Sequence, residues 1–126
     1  MKYHIDMKYE LLNEIKKHFP DEYSSKKFDY IPNLRDITLL SIIINEHIFN
    51  NKLDMKLITF KIGNYGDFND DKGVFSFVKD DINHSEILIL KSNNGDNFEQ
   101  IVSVLCHEMI HAYDRYYGEL SKYVKL

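Results

Sequence analysis

"LCHEMIHAYD", residues Leu105–Asp114, holds two histidines four positions apart, with a glutamate directly after the first. The stretch lies inside "NFEQIVSVLCHEMIHAYDRYYGELSKYV", a long helical pattern. Phe98, Ile101, Val104, Leu105 and Ile110 are its candidate core positions, and Asn97 or Asp96 its candidate cap. On a helix, residues four apart stand about 40° apart in angle and roughly 6 Å apart along the axis. His107 and His111 can therefore hold one metal ion between two neutral imidazoles, a donor set that suits Zn2+. Glu108 points beside such an ion rather than at it. From there a carboxylate can take a proton from an activated water and later pass it to a leaving amine. The chemistry implied is peptide hydrolysis without a covalent intermediate. The bland alternative is a helix whose two histidines merely decorate a polar stripe.

Upstream of this helix the pattern changes period. "KLITFKIG" (56–63), "GVFSFVKD" (73–80) and "SEILILKS" (85–92) are short, rich in β-branched and aromatic residues, and bounded by Gly, Asn and Asp. They predict a small three-stranded, mainly antiparallel sheet, with "NYGDFNDDK" and "DINH" as loops. Further back, "LRDITLLSIIINEHIFNN" places Ile37, Leu40, Ile44 and Ile48 at the spacing of a largely buried helix. "MKYELLNEIKKHFP" reads as a short amphipathic helix closed by Pro20, followed by an irregular stretch, "DEYSSKKFDYIPN". The order is helix, helix, three strands, helix. This predicts one α+β domain over residues 1–126, with an N-terminal helix and irregular segment at 1–33 and the core at 34–126.

Composition narrows the class. The chain of 126 residues is 44% hydrophobic, enough for one buried core. A net charge of -4 argues against binding nucleic acid through the whole surface. One cysteine, Cys106, leaves no internal disulfide and no cysteine zinc cage, which fits a reducing compartment. No signal-like apolar run opens the chain, and "ITLLSIII" is too short to span a bilayer. The expectation is a cytoplasmic protein with no membrane partner.

"LCHEMIHAY" resembles the active-site block of the SprT-like zinc metallopeptidases, the Spartan-type family that includes DNA–protein crosslink proteases. "INEHIFNNKL" is similar to the helix-end pattern of an Asn, an aromatic and a Leu that precedes the first strand in these domains. "GVFSF" and "INHSEILIL" are similar to the strands that lead to the active-site helix. The resemblance covers roughly residues 34–117 and implies a zincin-like fold. It implies His107 and His111 as zinc ligands, Glu108 as catalytic base, and a sheet edge that holds an extended protein or peptide substrate. Association with DNA is implied by the resemblance alone. The family's downstream third histidine and its cysteine-rich zinc ribbon have no counterpart here. "HEMIHAYD" also resembles the motif of mitochondrial processing peptidases, but the cysteines expected there are absent.

The third metal ligand is open. Asp114 returns to within about 20° of the His107 face but lies roughly two turns along, which favours a supporting role or a salt bridge over ligation. Glu119, beyond Gly118, would give a His2Glu set, set against the plainer reading of a solvated carboxylate. His84 is expected in a loop before the third strand. His4, His18 and His47 read as surface or helix-end residues. Tyr113, Tyr116 and Tyr117 crowd the motif, one of them a candidate oxyanion donor; Cys106 points about 100° away from His107 and packs inward. The sphere is completed by Glu119, Asp114 or water, by sequence outside this chain, or by a partner of a domain that binds protein without hydrolysis. The function classes are thus a zinc metalloendopeptidase and, as the alternative, a degenerate metallopeptidase-fold binding module.

Overall fold

The computed structural model describes residues 2–24, 27, 29–64, 73–78, 81–92 and 95–117. Helix α1 (Lys2–His18) is followed by a short helix, α2 (Pro20–Ser24), inside the stretch expected to be irregular. Pro20 does end α1, but it also opens α2, because proline in a first helical position has no N–H to lose. Phe19 joins the two: its N–H donates to the Ile15 carbonyl and its own carbonyl accepts from Tyr23.

Helix α3 (Leu34–Ile48) starts at an Asn33 cap whose side-chain oxygen accepts from the Asp36 N–H at 2.9 Å. Asp36 also accepts from the Tyr30 hydroxyl at 3.0 Å. Burial, and then the Asp36 carboxylate, push the Tyr30 phenol well above its usual range. Past α3 the chain turns through Asn50 and Asn51, both left-handed at φ 51° and 61°. Asparagine tolerates this region better than other side-chain-bearing residues. Asn45 holds the turn. Its carbonyl accepts from Phe49 and Asn51, and its buried side chain binds both the N–H and the C=O of Leu53 at 3.1 and 3.0 Å.

A single 3-10 turn (Met55–Leu57) leads into β1 (Ile58–Asn64), followed by β2 (Gly73–Val78) and β3 (Asp81–Lys91). The strand order is β1-β3-β2. β2 pairs antiparallel with β3, but β1 pairs parallel with it, so the sheet is mixed rather than mainly antiparallel. β3 takes the centre of the sheet: Ile87 and Ile89 are fully buried, and a strand of that character is shielded best between two neighbours. β3 also begins at Asp81, so "DINH" is strand and not loop, and the β2 register shifts at Phe77/Val78 to accommodate it.

Helix α4 (Phe98–Tyr117) closes the fold. Asn97 is its cap, its side-chain oxygen accepting from Glu99 and Gln100 at 3.0 and 3.3 Å. Asp96 is instead buried, accepting from the Ser92 N–H and bridging by backbone to Tyr30. The core cluster takes Leu11 and Ile15 from α1, Ile37, Leu40 and Ile44 from α3, Ile87 and Ile89 from β3, and Phe98, Ile101, Leu105 and Met109 from α4. The architecture is α+β. No helix among the described residues is long and apolar enough to cross a membrane.

Candidate active site

Around α4 the residues sort by angle. Phe98, Ile101, Val102, Leu105, Met109 and Ala112 form the stripe that enters the core. Val104 and Ile110, candidates for that stripe by sequence, lie on its flanks and are only half-buried. About 100° of rotation separates neighbours on a helix, so His107 points away from the core while Glu108 turns back toward it. His107 and His111 are exposed, whereas Glu108 keeps only 6% of its surface.

β2, an edge strand of the sheet, covers the Glu108 flank. Between β2 and α4 lies an open cleft of about 590 Å3 lined by Gly73, Val74, Phe75, Ser103, Val104, His107, Glu108 and His111. The motif's three polar side chains thus meet in one cleft. The Nε2 atoms of His107 and His111 stand 3.1 Å apart, with the rings nearly perpendicular at 89°. Two nitrogens sharing one zinc at 2.0–2.1 Å in tetrahedral geometry stand about 3.3–3.4 Å apart, so this donor pair fits the ion to within a few tenths of an ångström. The same 3.1 Å suits an Nε2–H···Nε2 hydrogen bond when both rings are neutral. Phe75 of β2 stacks on the His111 ring, centroids 6.2 Å apart and planes 24° from parallel.

The other candidates lie elsewhere. Among the described residues no group of three or more His, Cys, Asp or Glu side chains is arranged to hold a metal, so Asp114 does not complete one with the two histidines. Glu119 lies outside the described residues, as does the His4 side chain. His84 sits within β3 rather than in a loop, its Nε2 2.6 Å from the Thr59 hydroxyl. His18 faces Glu14 at 3.4 Å, and His47 is in the last turn of α3.

The tyrosines brace the helix and are not among the residues that line the cleft. Tyr113 stacks on Phe49 at 5.2 Å, the Tyr116 hydroxyl meets the Ser85 hydroxyl at 2.7 Å, and the Tyr117 hydroxyl donates to the Lys52 carbonyl. Cys106 packs against the core, and burial pushes its thiol up to about 12, far from the low values of reactive or metal-binding cysteines.

No family model, curated protein or solved structure matches this chain. Its functional reading therefore stands on the cleft. That cleft includes five residues not singled out from the sequence as site residues: Gly73, Val74, Phe75, Ser103 and Val104. Only Gly73 had a local signal, a glycine opening an otherwise β-branched and aromatic strand, where glycine often marks a close approach.

Proposed function

We propose that this chain is a zinc-dependent metalloendopeptidase of the SprT-like, zincin type, acting on protein or peptide substrates. One observation carries the reading. Two exposed imidazoles present their Nε2 atoms to the same cleft at 3.1 Å separation, with a nearly buried carboxylate between them in sequence and beside them in space. A bound zinc would polarise the scissile carbonyl and acidify water.

The chain's own residues supply the rest. His107 and His111 hold the ion. Glu108 takes a proton from the attacking water as its oxygen bonds to the carbonyl carbon, and delivers that proton to the nitrogen as the C–N bond breaks. Burial beside β2 restricts the Glu108 side chain, which favours its use as a positioned base. The edge of β2 runs along the cleft and offers backbone N–H and C=O groups to an extended substrate. Neither a nucleic-acid role nor a cellular compartment is required by the cleft.

A second reading, a binding module that grips an extended partner without hydrolysis, is favoured by a single fact. Among the described residues no group of three or more His, Cys, Asp or Glu side chains is arranged to hold a metal ion. Zinc content and the Glu108→Gln variant separate the two. The metallopeptidase binds about one zinc per chain, and Glu108→Gln keeps the zinc and the thermal stability while losing cleavage of casein. Cleavage that persisted undiminished in Glu108→Gln would remove the mechanism.

A further inference from the structure

Gly73 opens β2 with a backbone dihedral that any residue can adopt, since among the described glycines only Gly95 has a positive φ. Its lack of a side chain therefore answers to space alone. A Cβ at this position would stand 2.6 Å from Val104 Cγ1, 3.1 Å from Glu108 Cγ and 3.3 Å from Glu108 Oε2. The first distance is a clash. The other two are tighter than ordinary packing and fall on the side chain read above as the base.

The two neighbours differ in what they can yield. Val104 is β-branched on a helix, where one χ1 rotamer is strongly preferred. Glu108 has three rotatable bonds and ends in the cleft. A side chain at position 73 therefore lifts β2 away from the stiff Val104, and its contacts with Glu108 turn that carboxylate out of its place.

We infer that Gly73 is a positioning residue: its bare Cα forms the wall that seats the Glu108 carboxylate against the edge strand. This rests on the metallopeptidase reading for its catalytic meaning, while the contact itself can be tested without any activity. The first experiment is a thermal-unfolding cycle on the full, metal-free chain with Gly73→Ala, Glu108→Ala and the double variant. Glu108→Ala deletes Cγ and the carboxylate, the atoms that crowd position 73. Gly73→Ala is expected to lower the Tm by roughly 4–8 °C in the unaltered chain and by clearly less in the Glu108→Ala background. Equal losses in both backgrounds would overturn the inference, because Gly73 would then answer to Val104 alone. Should Gly73→Ala fail to fold, the same cycle is run in Val104→Ala, which removes the 2.6 Å clash and leaves the Glu108 contacts.

The second experiment reads function. Gly73→Ala is expected to lower kcat on casein about 10- to 100-fold, with KM and zinc content held. An unchanged kcat, or a loss confined to KM, would overturn the positioning role. An unaltered chain that binds zinc but never cleaves would sink the peptidase reading, and the unfolding cycle would still decide the seat.

Discussion

Replacing Asn45 by Ala tests how the helical half of the fold hands the chain to the sheet. Asn45 is 5% exposed and its side chain spans the turn to Leu53, which is 3% exposed, with hydrogen bonds of 3.0 and 3.1 Å. Truncation strands the N–H and the C=O of Leu53 in a region closed to solvent. Each such group costs about 1–3 kcal/mol, and the better helix propensity of alanine returns roughly half a kcal/mol. A net loss of about 2–4 kcal/mol follows once partial rescue by an entering water is allowed. For a chain of this length that lowers the Tm by about 8–15 °C. Urea unfolding is the assay, with the midpoint falling and the slope m unchanged. Asn45→Asp adds a pH signature. Its carboxylate keeps the acceptor for the Leu53 N–H but lacks the proton for the Leu53 carbonyl. Burial therefore raises its native pKa above the unfolded value of ~3.9. The penalty is absent below the unfolded value, grows as pH rises toward the native one, and is constant above it. A loss under about 1 kcal/mol in Asn45→Ala would refute the reasoning, because the turn would then be held by the backbone bonds of Phe49 and Asn51 to the Asn45 carbonyl.

The proposed metal ligands give two further expectations. His107→Ala and His111→Ala should each weaken zinc binding by about 100-fold or more, read by competition with a chromogenic chelator, while leaving the Tm of the metal-free chain close to unchanged because both rings are exposed. Asp114→Ala should leave zinc affinity within about twofold, and a tenfold loss in the same titration would show that this carboxylate ligates after all.

Much of α4 was legible because an apolar 3.6-residue period and a capping Asn are local signals. Its flanks were not. Val104 and Ile110 look like core residues in sequence; both pack against the core cluster but are only half-buried. Met109 and Ala112 carry the stripe instead. The three strands were legible from β-branched runs, but their order was not. Alternation shows which face is apolar and leaves both the partner and its direction unspecified, so the parallel pairing of β1 with β3 was not legible. The start of β3 at Asp81 escaped because polar "DINH" enters the strand through backbone pairing. Asn45, Phe49 and Leu53 stood out only through a family resemblance. Their shared turn is a physical unit: a side chain on a helix that binds the backbone eight residues on.

The division of exposure within His-Glu-x-x-His follows from helix geometry combined with one edge strand. A single residue step rotates the side chain by about 100°, enough to place His107 in solvent and Glu108 under β2. The two imidazoles, the proposed metal ligands, thereby stay reachable while the Glu108 carboxylate, the proposed base, is confined. The same geometry limits what α4 can offer as a third donor. The midpoint of the two histidines falls at Met109, and Asp114 lies five residues on, about 7.5 Å along the axis. That is too far for a short carboxylate that has to end about 2.0–2.2 Å from the ion. Helix α4 therefore brings no third donor to the pair through Asp114, and no metal-holding trio is found among the described residues. A third protein donor, where one binds, approaches from a segment outside the described part of α4. For that reason the ligand search belongs on chain brought to the mouth of the cleft, and not on further substitutions along the helix.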